Sequence, residues 1–253
     1  MNNIHCDVIG AGDAVVLVHG WGMHSGIWMD FAKALAESHL VVCLDLPGHG
    51  FSPPLLTSNF SEHSEALLAS IPLEKFKIIG WSLGGLLALE MAKMAPDRVE
   101  AVVMLASNPC FVARGNWPGV RLEVLDGFAE QLRSEPQQTL MRFMALQVNG
   151  LPDARLRLQQ IKQAVLSRPA ANLVSLEQGL NTLKHQDLRE TLAHLTCPVS
   201  TVLSGRDTLV PINLAGFLRS LRSEMAVKIL PEAGHMPFMT HPEALLANVL
   251  ECL

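Results

Sequence analysis

The chain lacks an excess of basic charge, cysteines at metal-binding spacing, and any long apolar run. Its formal net charge is -5 over 253 residues, so overall charge does not point to nucleic acid. The five cysteines, Cys6, Cys43, Cys110, Cys197 and Cys252, are scattered and odd in number. Free buried thiols in a reducing compartment are expected, with neither a disulfide framework nor a metal. No apolar run approaches the roughly 18 residues a membrane span requires. The stretch Met1-Asn2-Asn3-Ile4-His5-Cys6-Asp7 has no basic segment or apolar core of a signal peptide. The expectation is a soluble, cytoplasmic protein, and 49% hydrophobic against 17% charged residues describes a chain with a large core.

Apolar runs set the order of elements. Residues 14–18, 40–44, 76–79 and 101–106 are continuous apolar or nearly so, as strands buried on both faces of a parallel sheet must be. Residues 28–37 and 61–70, and 86–94 ahead of Pro96, read as helices between them. From about Phe111 to Lys184 the strand signal stops, and helices are expected over 122–132, 138–148, 154–166 and 172–183. Strands resume at 199–203 and 227–230, followed by a helix over 242–250. The fold class expected is α/β, a mostly parallel doubly wound sheet that binds ligands beyond its strand C-termini. Residues 1–110 and 185–253 form the core, and 111–184 a helical cap over the site.

The chain is organised around Gly80-Trp81-Ser82-Leu83-Gly84-Gly85, between a strand and a helix. A Gly-x-Ser-x-Gly in that setting is a nucleophile elbow, with Ser82 on a strained turn and its flanking glycines held small by crowding. A serine hydroxyl needs a base, and the base an orienting acid, in the chain order nucleophile, acid, base. Asp207 follows strand 199–203 on a glycine turn, and His235 follows strand 227–230 and Gly234. Glu232 and Asp45 are rival acids; Glu232 is too near His235 in sequence, and Asp45 precedes the elbow in a turn motif. His19 is expected to brace loops, and His49 to sit in a turn. The backbone N–H groups of Leu83 and Trp21 are placed to stabilise an oxyanion. No metal or organic cofactor is required.

These motifs and their order resemble the α/β-hydrolase superfamily over essentially the whole chain. Further segments are similar to the pimeloyl-[acyl-carrier protein] methyl ester esterases: His19-Gly20-Trp21-Gly22-Met23, Ala106-Ser107-Asn108-Pro109-Cys110-Phe111, Trp117-Pro118-Gly119 and Arg142-Phe143-Met144-Ala145-Leu146-Gln147. The family more often has Ser where Asn108 stands, and an acidic residue at Asn116. The resemblance implies a serine carboxylesterase of biotin synthesis, in which Ser82 attacks the methyl ester of a pimeloyl chain on acyl-carrier protein. It also implies that Trp21, Ser82, Leu83, His235 and Phe143, Met144, Ala145, Leu146 and Gln147 contact substrate. Helical spacing independently groups Leu140, Phe143, Met144, Gln147 and Val148 on one face.

Between residues 114 and 168 eight basic residues face five acidic ones, so this segment is +3 and the remainder -8. A basic cap would steer an acidic carrier protein, and Arg142, Arg155 and Arg157 are the expected contacts. Small esters are the other expected substrates, and a monomer the expected state. Ser82 excludes a dehalogenase, which needs aspartate there. A broad short-acyl carboxylesterase, a carbon–carbon bond hydrolase, a perhydrolase and a hydrolase-fold ligand receptor stay open.

Overall fold

Runs of valine, leucine and isoleucine that cannot face water set the centre of the molecule. The computed structural model describes residues 4–253; Met1, Asn2 and Asn3, where the segment read as lacking a signal peptide begins, lie outside the described residues. Seven strands form one sheet: β1 (Cys6–Gly10), β2 (Asp13–Val18), β3 (His39–Leu44), β4 (Phe76–Trp81), β5 (Val99–Leu105), β6 (Val199–Ser204) and β7 (Ala226–Leu230). Their order is β1-β3-β2-β4-β5-β6-β7. All neighbours run parallel except β1 with β3. Sequence reasoning missed β1, whose Cys-Asp-Val-Ile-Gly is mixed in polarity. It lies on an edge, where one half-exposed face removes the continuous apolar signature.

Register aligns the strand ends. Val18 pairs with Gly80, Trp81 with Leu105, Leu105 with Val202, and Ser204 with Leu230. The loops after β2, β4, β5, β6 and β7 therefore leave the same edge, where the informative motifs are gathered. Helix α1 (Met29–Leu35), α2 (Phe60–Ser70) and α3 (Leu83–Met94) separate the early strands. Helix α3 is buried along ten consecutive residues, Leu83 to Ala92, which places it in the centre of the fold.

Between β5 and β6 lie α4 (Leu122–Ser134), α5 (Pro136–Gln147), α6 (Ala154–Leu166), α7 (Leu173–His185) and α8 (Arg189–His194). The chain ends with α9 (Leu214–Leu221), α10 (Pro237–Thr240) and α11 (Pro242–Leu250). Helices α8, α9 and α10 are too short to show an extended periodic pattern in the sequence. Cys43, Cys110 and Cys197 are buried and Cys6 and Cys252 half-buried, all as free thiols; burial pushes Cys43 up to about 12. Among the described residues no helix is long and apolar enough to cross a membrane.

Candidate active site

Ser82 follows β4 and stands at the N-cap position of α3 with φ 54 and ψ -119, a conformation that L-residues adopt only under constraint. The constraint is visible. Ser82 N–H donates to Leu105 O at 3.0 Å, and the Ser107 hydroxyl donates to Ser82 O at 2.7 Å. A Cβ on Gly80 would lie 2.3 Å from Gly84 O, and one on Gly84 2.2 Å from Val18 O. The glycines are thus required by backbone approaching backbone. The Ser82 side chain does not cap its helix, and among the described residues its hydroxyl makes no hydrogen bond.

Asp207 and His235 meet. The Nδ1–H of His235 donates to Asp207 Oδ2 at 2.7 Å, with the side chains 1% and 0% exposed. Asp207 Oδ1 accepts the N–H groups of Leu209 and Val210 at 2.8 and 3.0 Å, so both carboxylate oxygens are held. A carboxylate can only accept, so in the neutral tautomer the imidazole proton sits on Nδ1 and the lone pair on Nε2. Among the described residues that Nε2 is buried without a partner. No hydrogen bond joins it to Ser82. The elbow and the histidine loop are linked instead through Trp81, whose indole N–H donates to His235 O at 2.8 Å. Trp81 packs on Phe238, ring centroids 5.0 Å apart, and Phe238 on Trp28 at 4.4 Å. The sequence offered one hint of this, an aromatic directly before the serine. Glu232, the rival acid, is exposed and pairs with Arg206.

The loop after β2 closes on the elbow. A Cβ on Gly20 would approach Ser82 Cβ to 3.1 Å. Neither Trp21 N–H nor Leu83 N–H has a protein acceptor among the described residues, although both residues are buried. His19 Nε2 accepts Leu46 N–H at 2.9 Å and its Nδ1–H donates to Gly20 O at 2.8 Å, a brace that only a neutral ring can make. Burial, reinforced by the imidazole of His49, pushes His19 down to about 3; burial pushes His49 down to about 4. Asp45 is fully buried, accepting Ser25 N–H at 2.6 Å and Phe51 N–H at 2.9 Å, which makes it a turn-former and not a triad acid.

Helices α5 and α7 lie over this loop. The Trp21 indole donates to Leu176 O at 2.8 Å and meets Phe143 edge-on at 4.7 Å. Phe143, Met144, Gln147 and Val148 are buried and Leu140 half-buried, as one helical face requires. Ala145 is exposed and Leu146 half-buried: a contiguous run cannot face one way on a helix, so Ala145 points away from the interior. Ser82 is 4% and His235 1% exposed.

Residues 13–242 match the family model of the alpha/beta hydrolase fold. The pimeloyl-[acyl-carrier protein] methyl ester esterase of Aliivibrio salmonicida is 40% identical over 240 residues, covering 95% of this chain and 92% of the relative. Its namesake in Vibrio cholerae is 40% identical over 248 residues, covering 98% and 97%. The chain belongs to the pimeloyl-[acyl-carrier protein] methyl ester esterase family. It is a carboxylic ester hydrolase of the α/β-hydrolase fold. Among solved structures, an esterase from Exiguobacterium antarcticum and a bromoperoxidase from Bacillus anthracis each superpose with TM-score 0.87 at 20% identity, covering 98% of this chain and 94% of theirs. They share the fold.

The segment that carried the family resemblance forms a structural knot. Trp117 Nε1–H lies 3.0 Å from Asn108 Oδ1 and 3.1 Å from Cys110 O, while Asn108 Nδ2–H donates to Pro118 O at 2.9 Å. The basic segment is also less free than its charge count implies. Arg168 pairs with Asp7 and Asp45, Arg133 with Glu177, and Arg157 with Asp153 at 2.7 Å. Arg157 further donates to Met239 O at 2.9 Å, so it fastens α6 to α10 and is half-buried. Arg142 and Arg155 are exposed and have no carboxylate partner among the described residues; Arg142 donates to Gln131 Oε1 at 2.8 Å.

Proposed function

We propose that the chain hydrolyses the methyl ester of a pimeloyl group carried on acyl-carrier protein, releasing methanol and leaving the pimeloyl thioester intact. The relatives' names carry the substrate. The observation that carries the mechanism is the Asp207–His235 pair, whose free Nε2 belongs to the loop that Trp81 ties to the elbow. Ser82 Oγ attacks the ester carbonyl while His235 Nε2 takes its proton. The Trp21 and Leu83 N–H groups receive the oxyanion, a role typically worth on the order of 3 kcal/mol per donor. Collapse breaks the bond to methoxide, which leaves as methanol with the proton from His235. Water then repeats the sequence and frees the carboxylate. Asp207 keeps the imidazole in the required tautomer and stabilises its cation.

In this reading residues 111–184 act as a cap on a core of 1–110 and 185–253, with Phe143, Met144 and Gln147 lining the acyl path. An apolar path favours the uncharged methyl ester over the product carboxylate, which is costly to desolvate. Arg142 and Arg155 dock the acidic carrier; Arg157 is committed to Asp153 and Met239 and serves the cap. The reaction runs in the cytoplasm, for biotin synthesis, on a monomer, since one chain supplies every group named. Methanol release from the carrier-bound ester tests the proposal: turnover by the native chain and none by Ser82→Ala is expected. Binding without turnover would support a ligand receptor instead.

A further inference from the structure

The loop bearing the Trp21 N–H is fastened at both ends to one turn. His19 is held by Leu46 N–H, and Ser25 N–H by Asp45 Oδ1 at 2.6 Å. The third party to this junction comes from far along the chain. Arg168, between α6 and α7, donates to the Ser25 hydroxyl at 2.7 Å and to Asp45 Oδ2 at 3.2 Å, and pairs with Asp7. The Ser25 hydroxyl in turn donates to Asp7 Oδ2 at 3.2 Å. The guanidinium also lies over the Phe51 ring at 5.1 Å. Its side chain is 10% exposed and that of Asp45 0%. Beside it, His24 accepts Gly26 N–H at Nδ1 and donates from Nε2 to Val165 O at 3.1 Å. The end of α6 is thus sealed onto residues 24–26 by two side chains from opposite directions.

We infer that Arg168 is a positioning residue for the oxyanion hole, setting the Trp21 N–H through Ser25 and Asp45. The inference rests on the reading of Trp21 as an oxyanion donor. Asp45 is buried, carries charge, and organises both the 19–25 loop and the 45–52 turn. Its cation is supplied only when the segment after α6 is seated. Without Arg168 the carboxylate keeps its two backbone donors but loses its counter-charge, and a buried charge so exposed rearranges its surroundings. The planar fork of N–H donors, which lets one side chain span Asp45, Asp7 and Ser25, is specific to arginine. Contacts to substrate play no part, so the effect falls on the transition state.

The test compares Arg168→Met, which keeps an unbranched apolar side chain but removes the guanidinium, with Arg168→Lys and the native chain on p-nitrophenyl butyrate. A trifluoromethyl ketone of similar chain length, whose adduct with Ser82 places an oxyanion in the hole, supplies a second readout. For Arg168→Met kcat is expected to fall on the order of tenfold to a hundredfold, the penalty typical of a misplaced donor, with KM within about twofold. The ketone should lose affinity by the same factor, and Arg168→Lys should fall between. Unchanged ketone affinity, or a raised KM at constant kcat, overturns the inference. If Arg168→Met fails to fold, Ser25→Ala decides, because it removes the hydroxyl Arg168 holds and must lower kcat and ketone affinity together. A native chain that binds the trifluoromethyl ketone no better than the plain methyl ketone defeats the oxyanion reading itself, and this inference with it.

Discussion

Trp81 and His235 are joined by one hydrogen bond across 154 residues of sequence, indole N–H to main-chain carbonyl at 2.8 Å. The residue before Ser82 therefore locates the loop that carries His235. Replacing Trp81 with phenylalanine leaves a buried carbonyl unpaired, and should destabilise the fold by about 1–3 kcal/mol. It should also lower kcat more than it changes KM. Guanidinium unfolding and ester kinetics on the same preparation would show both; unaltered kcat would separate the bond from the positioning of His235.

At Ser82 the backbone strain can be read as stability. Both Ser82→Ala and Ser82→Gly remove the hydroxyl and should abolish turnover. Alanine keeps the unfavourable positive φ, whereas glycine relieves it at some expense in chain entropy. The glycine variant should be the more stable by about 1 kcal/mol. Equal unfolding midpoints would mean that the turn is not strained.

Acid should loosen the molecule through His19 and His49. Burial depresses both, to about 3 and about 4, so the native state keeps them neutral while the unfolded chain protonates them below about pH 6.5. The unfolded state then binds more protons, and stability falls as pH drops from about 6.5 toward 4.5, by up to about 1.4 kcal/mol per pH unit for each histidine. Unfolding midpoints across this range measure the slope, and His49→Gln should make it shallower. A flat profile would contradict neutral buried rings.

Charge reversal should separate the arginines of the 111–184 segment. Arg142→Glu and Arg155→Glu should raise KM for the carrier-bound ester several-fold and leave a small soluble ester unaffected. Arg157→Glu should impair both substrates, because it releases α6 from Met239. Equal behaviour of all three variants on the two esters would argue against docking at Arg142 and Arg155.

Gly84→Ala tests the elbow's crowding. The new methyl group would meet Val18 O at 2.2 Å, backbone that cannot swing aside, and a loss on the order of 3 kcal/mol or more is expected. Thermal unfolding reads it directly. Gly127→Ala, with nothing within 4 Å of the added Cβ, is the tolerant control.

What the sequence makes legible is what depends on local pattern. Apolar runs, continuous or broken by one or two polar residues, mark six of the seven strands. The inner ones are buried on both faces, the edge strand β7 keeps Val227, Ile229 and Leu230 despite its exposure, and β1, half-exposed at the other edge, has no such mark. Chain order, together with a place after a late strand and a glycine, points to Asp207 and His235, which the fold places 2.7 Å apart. Partnerships between distant side chains were out of reach. Arg168 is one more cation in the sequence, and only the fold shows its 161-residue span to Asp7; Arg157, expected as a carrier contact, is held at Met239 O. Ala145 shows the opposite limit: a motif read as a block ignores the helical period that turns one of its members outward.

Ser82 and His235 are enclosed beneath α5 and α7, with Trp21 pressed between the two layers. A covalent serine reagent tests whether Ser82 is reached only while those helices part. Inactivation by a fast organophosphate should level off with concentration, at a ceiling set by the opening rate. Such a reagent then works as a stopwatch, timing the molecule's own breathing.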